Sequence, residues 1–127
     1  MKRNLDLFRS ILLVVEQEGD PEEPLIHSLS LEGVEQAILN EHVKLLIDAG
    51  LLEGEYKFST NNRILFTMIR GLTPRAYDFL DNTRNDELWK RINERIATTI
   101  GSASFDIVEE FARQITSAGL ARATQPE

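Results

Sequence analysis

Apolar residues recur at helical spacing at the start of the chain, and polar residues fill the positions between them. The apolar repeat, at intervals of three and four residues, consists of Leu5, Phe8, Leu12 and Val15. This spacing predicts an amphipathic helix over residues 4–18. Asn4 is suited to cap that helix, and Gly19 with the prolines that follow it ends the pattern.

A second helix is predicted over residues 34–49, after a short strand within residues 25–31. The side of this helix predicted to be buried carries Val34, Ile38, His42, Leu45, Leu46 and Ala49, with Leu39 at its edge. The side predicted to face outward carries Gln36, Asn40, Lys44 and Ile47, flanked by Ala37, Glu41, Val43 and Asp48. Gly50 then stands where a left-handed residue commonly ends a helix.

Two extended runs come next, over residues 52–58 and 63–70. The first run alternates apolar and charged residues, whereas the second is apolar on both faces, as in a more buried strand. The connection between them, residues 59–62, ends in two asparagines, and asparagine tolerates the positive φ of tight turns. Together these residues predict a β-hairpin.

Three more helices are predicted in the rest of the chain. Thr73 and Pro74 begin the first, over residues 74–84, because threonine caps helices and proline fits the first helical position. Its inward residues are predicted to be Ala76, Tyr77 and Leu80. The second helix begins at Asn85 or Asp86, ends at Gly101, and repeats apolar residues at Trp89, Ile92, Ile96 and Ile100. The last opens at Ser102 or Ser104, ends near Gly119, and repeats apolar residues at Phe105, Val108, Phe111, Ala112 and Ile115.

The order helix, short strand, helix, hairpin, helix is typical of a winged helix, in which the hairpin, called the wing, follows the recognition helix. The sequence therefore predicts a mainly α (α+β) protein: a winged helix-turn-helix domain over residues 1–84, a helical extension over 85–119, and a frayed tail over 120–127. The stretch between Gly19 and Val34 is too short for a full second helix. The predicted helix-turn-helix is therefore abridged, which weakens the inference to DNA, because the missing helix normally crosses the phosphate backbone.

Four segments also resemble a known family. They are residues 1–7, 42–52, 72–81 and 86–89, and they look like a bacterial and prophage-associated domain of unknown function, number twenty-five thirteen. The resemblance implies the winged-helix-like fold and no particular activity. In the 72–81 segment, Ala76 and Tyr77 stand where the family typically has glycine and histidine, which favours a packing role for that position.

Composition limits the classes of protein to which the chain can belong. Its 127 residues contain no cysteine, which excludes disulfides, thiolate zinc sites and cysteine nucleophiles and favours a reducing, cytoplasmic location. No leader is recognisable, and no apolar run approaches the roughly 20 residues that span a bilayer. The net charge is −7, and residues 11–41 contain eight acidic residues and no lysine or arginine. Such a charge argues against non-specific coating of nucleic acid, which depends on neutralising phosphates.

The leading functional hypothesis is a sequence-specific DNA-binding protein, like a transcriptional regulator, that acts as a dimer. Six residues are its candidates for binding double-stranded DNA. Gln36 and Asn40 could pair with adenine edges, and Lys44 with phosphate or guanine. Lys57, Arg63 and Arg70 on the hairpin would add phosphate contacts. The alternative is an ordinary solvated surface, favoured by three acidic neighbours on the helix, Glu35, Glu41 and Asp48. A second functional hypothesis follows from those acids: a module that binds a protein partner and no DNA.

The remaining chemistry predicts no enzyme, no cofactor and no metal site. The histidines are His27, without a matching ligand nearby in sequence, and His42, on the apolar side of a helix, where a packed residue is expected. No phosphate-binding glycine loop or nucleophile motif occurs. The apolar residues of the last two helices must be covered, either within the chain or in a homodimer.

Overall fold

The computed structural model describes residues 3–23, 25–99 and 105–124. Within those residues the chain forms five helices and three strands. In chain order they are α1 (Leu5–Glu18), β1 (Ile26–His27), α2 (Gln36–Asp48), β2 (Leu52–Phe58), β3 (Ile64–Leu72), α3 (Pro74–Thr83), α4 (Asp86–Thr99) and α5 (Phe105–Thr124). The predicted α+β class, with a hairpin between the second and third helices, is confirmed.

The three strands form one antiparallel sheet in the order β1-β3-β2. This arrangement and the order of the helices are those expected of a winged-helix-like fold. β1 is shorter than the predicted strand over residues 25–31, because Ser28 adopts a positive φ of 46° and turns the chain out of the sheet. Only a turn, closed by a hydrogen bond from Val34 N to Leu31 O at 3.2 Å, lies between β1 and α2. No separate helix therefore lies between β1 and α2 among the described residues, as the short stretch between Gly19 and Val34 predicts.

Helix α1 begins where the sequence predicts. The Asn4 side chain accepts a hydrogen bond from Leu7 N at 3.1 Å, and Gly19 lies at the C-terminal cap. The buried face of α1 consists of Leu7, Phe8, Ile11, Leu12 and Val15. These side chains form the core of the first part of the chain together with Leu39, Val43 and Leu46 of α2 and with Leu51, Leu52 and Ile69 near or within the hairpin.

The buried face of α2 differs from the predicted one. Val43 is fully buried and Asn40 is only 9% exposed, although both were placed on or beside the outward side, whereas Ile38 is 38% exposed. Helix α2 contacts α1 and both strands of the hairpin, so its buried arc is wider and rotated. Periodicity alone could not choose between the faces, because apolar residues occur on nearly every side of this helix.

The hairpin is confirmed with small changes of its limits. Asn62 at its turn has a φ of 61°, as the asparagine pair predicts. The register between β2 and β3 shifts twice, between Glu53 and Gly54 and between Lys57 and Phe58. A bulge of this kind increases the local twist of a strand pair.

Contacts separate the chain into two compact units, Met1–Tyr77 and Asp78–Glu127. In the second unit, the Phe79 ring lies edge-on to the rings of Trp89 and Phe105, with centroids 6.1 and 5.9 Å apart. Phe79 is fully buried. Tyr77 is 47% exposed, so its predicted inward position is wrong.

Helices α4 and α5 are both present, but α5 is longer than predicted. α4 is capped by Asn85, whose side chain accepts a hydrogen bond from Leu88 N at 3.0 Å, one of the two predicted caps. α5 runs to Thr124, past its predicted end near Gly119. The predicted features at Ile100, Gly101, Ser102 and Ser104 lie outside the described residues. No helix in the described part of the chain is long and apolar enough to span a membrane.

Candidate functional site

A cleft of about 660 Å³ lies between the first half of α2 and the tip of the hairpin. We refer to it as the α2–wing cleft. Its walls are formed by Glu35, Gln36, Ala37, Asn40 and Glu41 from the α2 side and by Asn62, Arg63, Ile64 and Leu65 from the hairpin. The predicted DNA-binding residues Gln36, Asn40 and Arg63 therefore line one cavity.

Gln36 and Asn40 are engaged in hydrogen bonds within the protein. Gln36 Nε2 donates to Asn40 Oδ1 at 2.8 Å and to the Leu29 carbonyl at 2.9 Å, and Ser30 Oγ donates to Gln36 Oε1 at 3.1 Å. These bonds tie the start of α2 to the segment that leaves β1. Breaking them to contact a base edge would cost about 1 kcal/mol for each net hydrogen bond lost.

Lys44 of α2 interacts with Asp48 of the same helix and with Tyr56 of β2. Its Nζ is 3.0 Å from Asp48 Oδ2 and 5.5 Å from the centroid of the Tyr56 ring, while the Tyr56 hydroxyl donates to Asp48 Oδ1 at 2.7 Å. The hydrogen bond from Tyr56, followed by the one from Lys44, lowers the pKa of Asp48 below 3.8. The same hydrogen bonds to Asp48 raise the pKa of Tyr56 and of Lys44. The positive charge of Lys44 is thus already compensated.

The three basic residues of the hairpin differ in their environment. Arg70 forms an ion pair with Glu55 across β2 and β3, at 2.8 Å. Lys57 and Arg63 are exposed, and neither makes an ion pair with any residue that the structure describes. The hairpin tip is also apolar, since Phe58 is 50% and Leu65 is 64% exposed.

The electrostatic character of the α2–wing cleft is acidic. Glu35 and Glu41 stand on the α2 wall, against the single cation Arg63 on the hairpin wall. Glu35 occupies the N-cap position of α2, but its side chain makes no capping hydrogen bond. Its carboxylate is therefore not held by the end of the helix.

The hairpin wall of the cleft coincides with an open edge of the sheet. β1 pairs with β3 only at Met68 and Ile69, and one further bond runs from Ser28 N to the Thr67 carbonyl at 2.9 Å. Among the described residues, no strand lies beside Ile64–Phe66 on that side. Sequence reasoning missed this edge because it predicted a longer strand over residues 25–31. The serines at 28 and 30 were a usable signal, since serine favours turns.

His42 is buried, as predicted, and takes no part in the cleft. Its ring centroid lies 4.8 Å from that of Phe8, its Nε2 accepts a hydrogen bond from Asn4 N at 3.0 Å, and its Nδ1 lies 2.8 Å from the Ile38 carbonyl. No group of three or more histidine, aspartate or glutamate side chains in the described residues could hold a metal ion.

Comparison with known proteins identifies a family and a relative of the chain. Residues 2–104 match the family described as hypothetical protein DUF2513. An uncharacterized protein of Haemophilus influenzae is 34% identical over 121 residues, which is 95% of this chain and 100% of that protein. No solved structure matches the chain. The family match covers most of the sequence, including the whole hairpin and α2, and the chain therefore belongs to the DUF2513 family.

Proposed function

We propose that this chain is a protein-binding module and that its binding site is the α2–wing cleft. The observation that carries the proposal is the composition of the cleft walls: two carboxylates, three amide side chains, apolar Ala37, Ile64 and Leu65, and one cation. A polyanion entering this space would meet Glu35 and Glu41 at close range. A polypeptide can place apolar side chains against Leu65 and cations against the carboxylates.

The placement of the predicted DNA-binding residues supports a protein partner over a nucleic acid. Gln36 bonds to Asn40 and to the Leu29 carbonyl, while Lys44 and Arg70 are ion-paired. Protein interfaces combine an apolar centre with a polar rim. The exposed Leu65 side chain, surrounded by amides and charges, has that composition.

The proposal is tested by selecting a phage library that displays random fragments of bacterial proteins against the purified chain. Ala37 lies exposed on the cleft wall, so Ala37→Arg would place a long cation in the cleft. Gln17→Arg introduces the same side chain on the exposed face of α1 and is the matched control. We expect enriched fragments to bind Ala37→Arg at least about tenfold more weakly than the wild type, a loss of roughly 1.4 kcal/mol. Binding to Gln17→Arg should be unchanged.

Two results would overturn this function. One is a selection in which no fragment is enriched. The other is enrichment of fragments that bind wild type and Ala37→Arg equally well, because their site would then lie elsewhere on the chain.

A second candidate, duplex DNA bound through the wing, is favoured by one observation: Lys57 and Arg63 are exposed cations without an ion pair in the described structure. It is tested by fluorescence anisotropy with a random-sequence duplex at about 50 mM salt, where phosphate contacts are strongest. If DNA is the ligand, replacing both cations with alanine should abolish binding. The absence of binding by the wild type under these conditions eliminates this candidate.

A homodimer through the last two helices is not part of the proposed function. Of the apolar side chains that would form such an interface, five are buried within a single chain, namely Trp89, Ile92, Ile96, Phe105 and Val108. Phe111 is half-buried, and the side chains of Ile100 and Ile115 lie outside the described part of the structure.

A further inference from the structure

We propose that the partner binds as an extended segment with basic side chains, added as a strand to the open edge of β3 in the α2–wing cleft. This inference rests on the proposed function and specifies the form and charge of the bound segment. Strand addition is a common way to bind a peptide, in which main-chain hydrogen bonds supply affinity and alternate side chains supply specificity.

The edge exists because β1 stops early. Its antiparallel pairing with β3 runs through His27 opposite Met68 and ends with the bond from Ser28 N to the Thr67 carbonyl. The positive φ of Ser28 then directs the chain away toward α2. An added segment would continue the line of β1 alongside Ile64–Phe66.

The other edge of the sheet carries charged side chains, which the open part of β3 lacks. β2 exposes the charged residues Glu53, Glu55 and Lys57 in alternation. Both register shifts place their extra residue in β3, at Arg70 and at Leu65. Charged side chains are one usual means of preventing pairing at an edge strand. The open part of β3 instead presents Leu65, 64% exposed, to the cleft.

The charge of the bound segment follows from the carboxylates on the α2 wall of the cleft. In an extended chain, alternate side chains point to the same side. Those that point toward α2 meet Glu35 and Glu41. Lysine or arginine at alternate positions therefore complements this wall, and apolar residues between them pack beside Leu65.

The experiment uses three fluorescent synthetic peptides and the full chain, with binding measured by anisotropy. The first peptide alternates lysine and valine, the second alternates glutamate and valine, and the third repeats the lysine peptide with alternate backbone amides methylated. We expect the lysine peptide to bind at least about tenfold more tightly than either of the others. Methylation leaves side chains and net charge intact but removes the donors that pair with a strand edge.

Two matched variants locate the binding. Glu41→Gln removes a carboxylate from the cleft wall, whereas Glu53→Gln removes an exposed carboxylate from β2, outside the cleft. We expect Glu41→Gln to weaken the lysine peptide about fivefold, roughly 1 kcal/mol, and Glu53→Gln to leave it unchanged. The expected structural signature is protection from hydrogen exchange, on binding, of those amides within Ile64–Phe66 that do not bond to β2.

The outcomes separate this inference from the proposed function. Equal binding of the methylated peptide, or equal effects of the two glutamate variants, overturns strand addition. If fragments selected on the wild type still lose affinity on Ala37→Arg, the protein-binding function stands while the strand inference falls. If a single-stranded oligonucleotide displaces the lysine peptide and no fragment is enriched, both fall.

Discussion

His42 is a polar residue in an apolar core, and both of its ring nitrogens have a defined role. Nε2 accepts from the Asn4 backbone N–H, so Nδ1 carries the proton and donates to the Ile38 carbonyl. The neutral ring thereby links the start of α1 to α2, and it packs on Phe8. The position of His42 on the apolar side of a helix predicts its burial. The sequence does not reveal that its hydrogen-bond partner is Asn4, 38 residues earlier in the chain.

Replacing His42 with alanine should destabilise the protein by about 3 kcal/mol, because it leaves a cavity and removes the partner of the Asn4 N–H. Urea unfolding followed by circular dichroism measures the change. His27→Ala removes an exposed histidine and serves as the control, with no shift expected. Similar midpoints for the two variants would contradict the linking role of His42.

Asp48 makes a stability contribution that depends on pH. Its pKa in the folded protein is lowered below 3.8, first by the hydrogen bond from Tyr56. The contribution is therefore present above the unfolded pKa and is lost as the pH falls through the folded pKa. Because the carboxylate is exposed, the effect should be small.

Comparing the stability of the wild type with that of Asp48→Asn tests the predicted direction of the pH dependence. Urea midpoints should differ near neutral pH, and the difference should shrink as the pH falls below 3.8. A difference that stays constant across this range, or grows in acid, would contradict it.

The elements of the fold are joined by contacts that the sequence motifs do not reveal by themselves. Thr73 was predicted to cap α3, and its Oγ1 does accept a hydrogen bond from Ala76 N at 3.3 Å. The same hydroxyl donates to the Gly50 carbonyl at 2.6 Å, and Arg75 Nη1 donates to the Ala49 carbonyl at 2.9 Å. The start of α3 thus satisfies carbonyls at the end of α2, which links two of the family-like segments, residues 42–52 and 72–81.

Thr73→Val keeps the shape of this side chain but removes both hydrogen bonds. We expect a loss of about 1.5 kcal/mol, as for other helix caps. The thermal midpoint from circular dichroism reports the loss. Thr73→Ser retains the hydroxyl and should recover most of the stability; a serine variant as unstable as the valine variant would show that the methyl group matters instead.

Gly54 sets how closely β2 and β3 approach at the register shift. A Cβ atom at this position would lie 2.2 Å from the Met68 carbonyl oxygen, a backbone atom that cannot move away alone. Gly54→Ala should therefore destabilise the protein by about 3 kcal/mol.

Gly33→Ala is the matched comparison for Gly54. Gly33 has a φ of 78° but open space around it, so alanine there incurs only backbone strain, about 1 kcal/mol. Chemical denaturation of both variants measures the order of the two effects. A larger loss for Gly33→Ala would show that the strand approach at Gly54 relaxes easily.

At the scale of the whole molecule, the sequence was sufficient for the order of elements but not for the cleft. Each helix and the hairpin follow from local periodicity and turn residues, which act over a few positions. The α2–wing cleft depends on where β1 stops and how far α2 is rotated, and both are set by tertiary packing. Asn40 shows the difference, because its helix position beside Gln36 and Lys44 predicts an outward side chain, whereas the structure buries it beside Gln36.

The base of the hairpin is held by two hydrogen bonds, from Thr73 N to the Leu51 carbonyl at 3.2 Å and from Thr73 Oγ1 to the Gly50 carbonyl at 2.6 Å. The two ends of the hairpin are thus held together at its base, while the turn over residues 59–62 is mostly exposed. Insertions and deletions are best tolerated at such tips. The wing can therefore change length, and with it the depth of the cleft, while the base of the hairpin at Gly50 and Thr73 stays fixed.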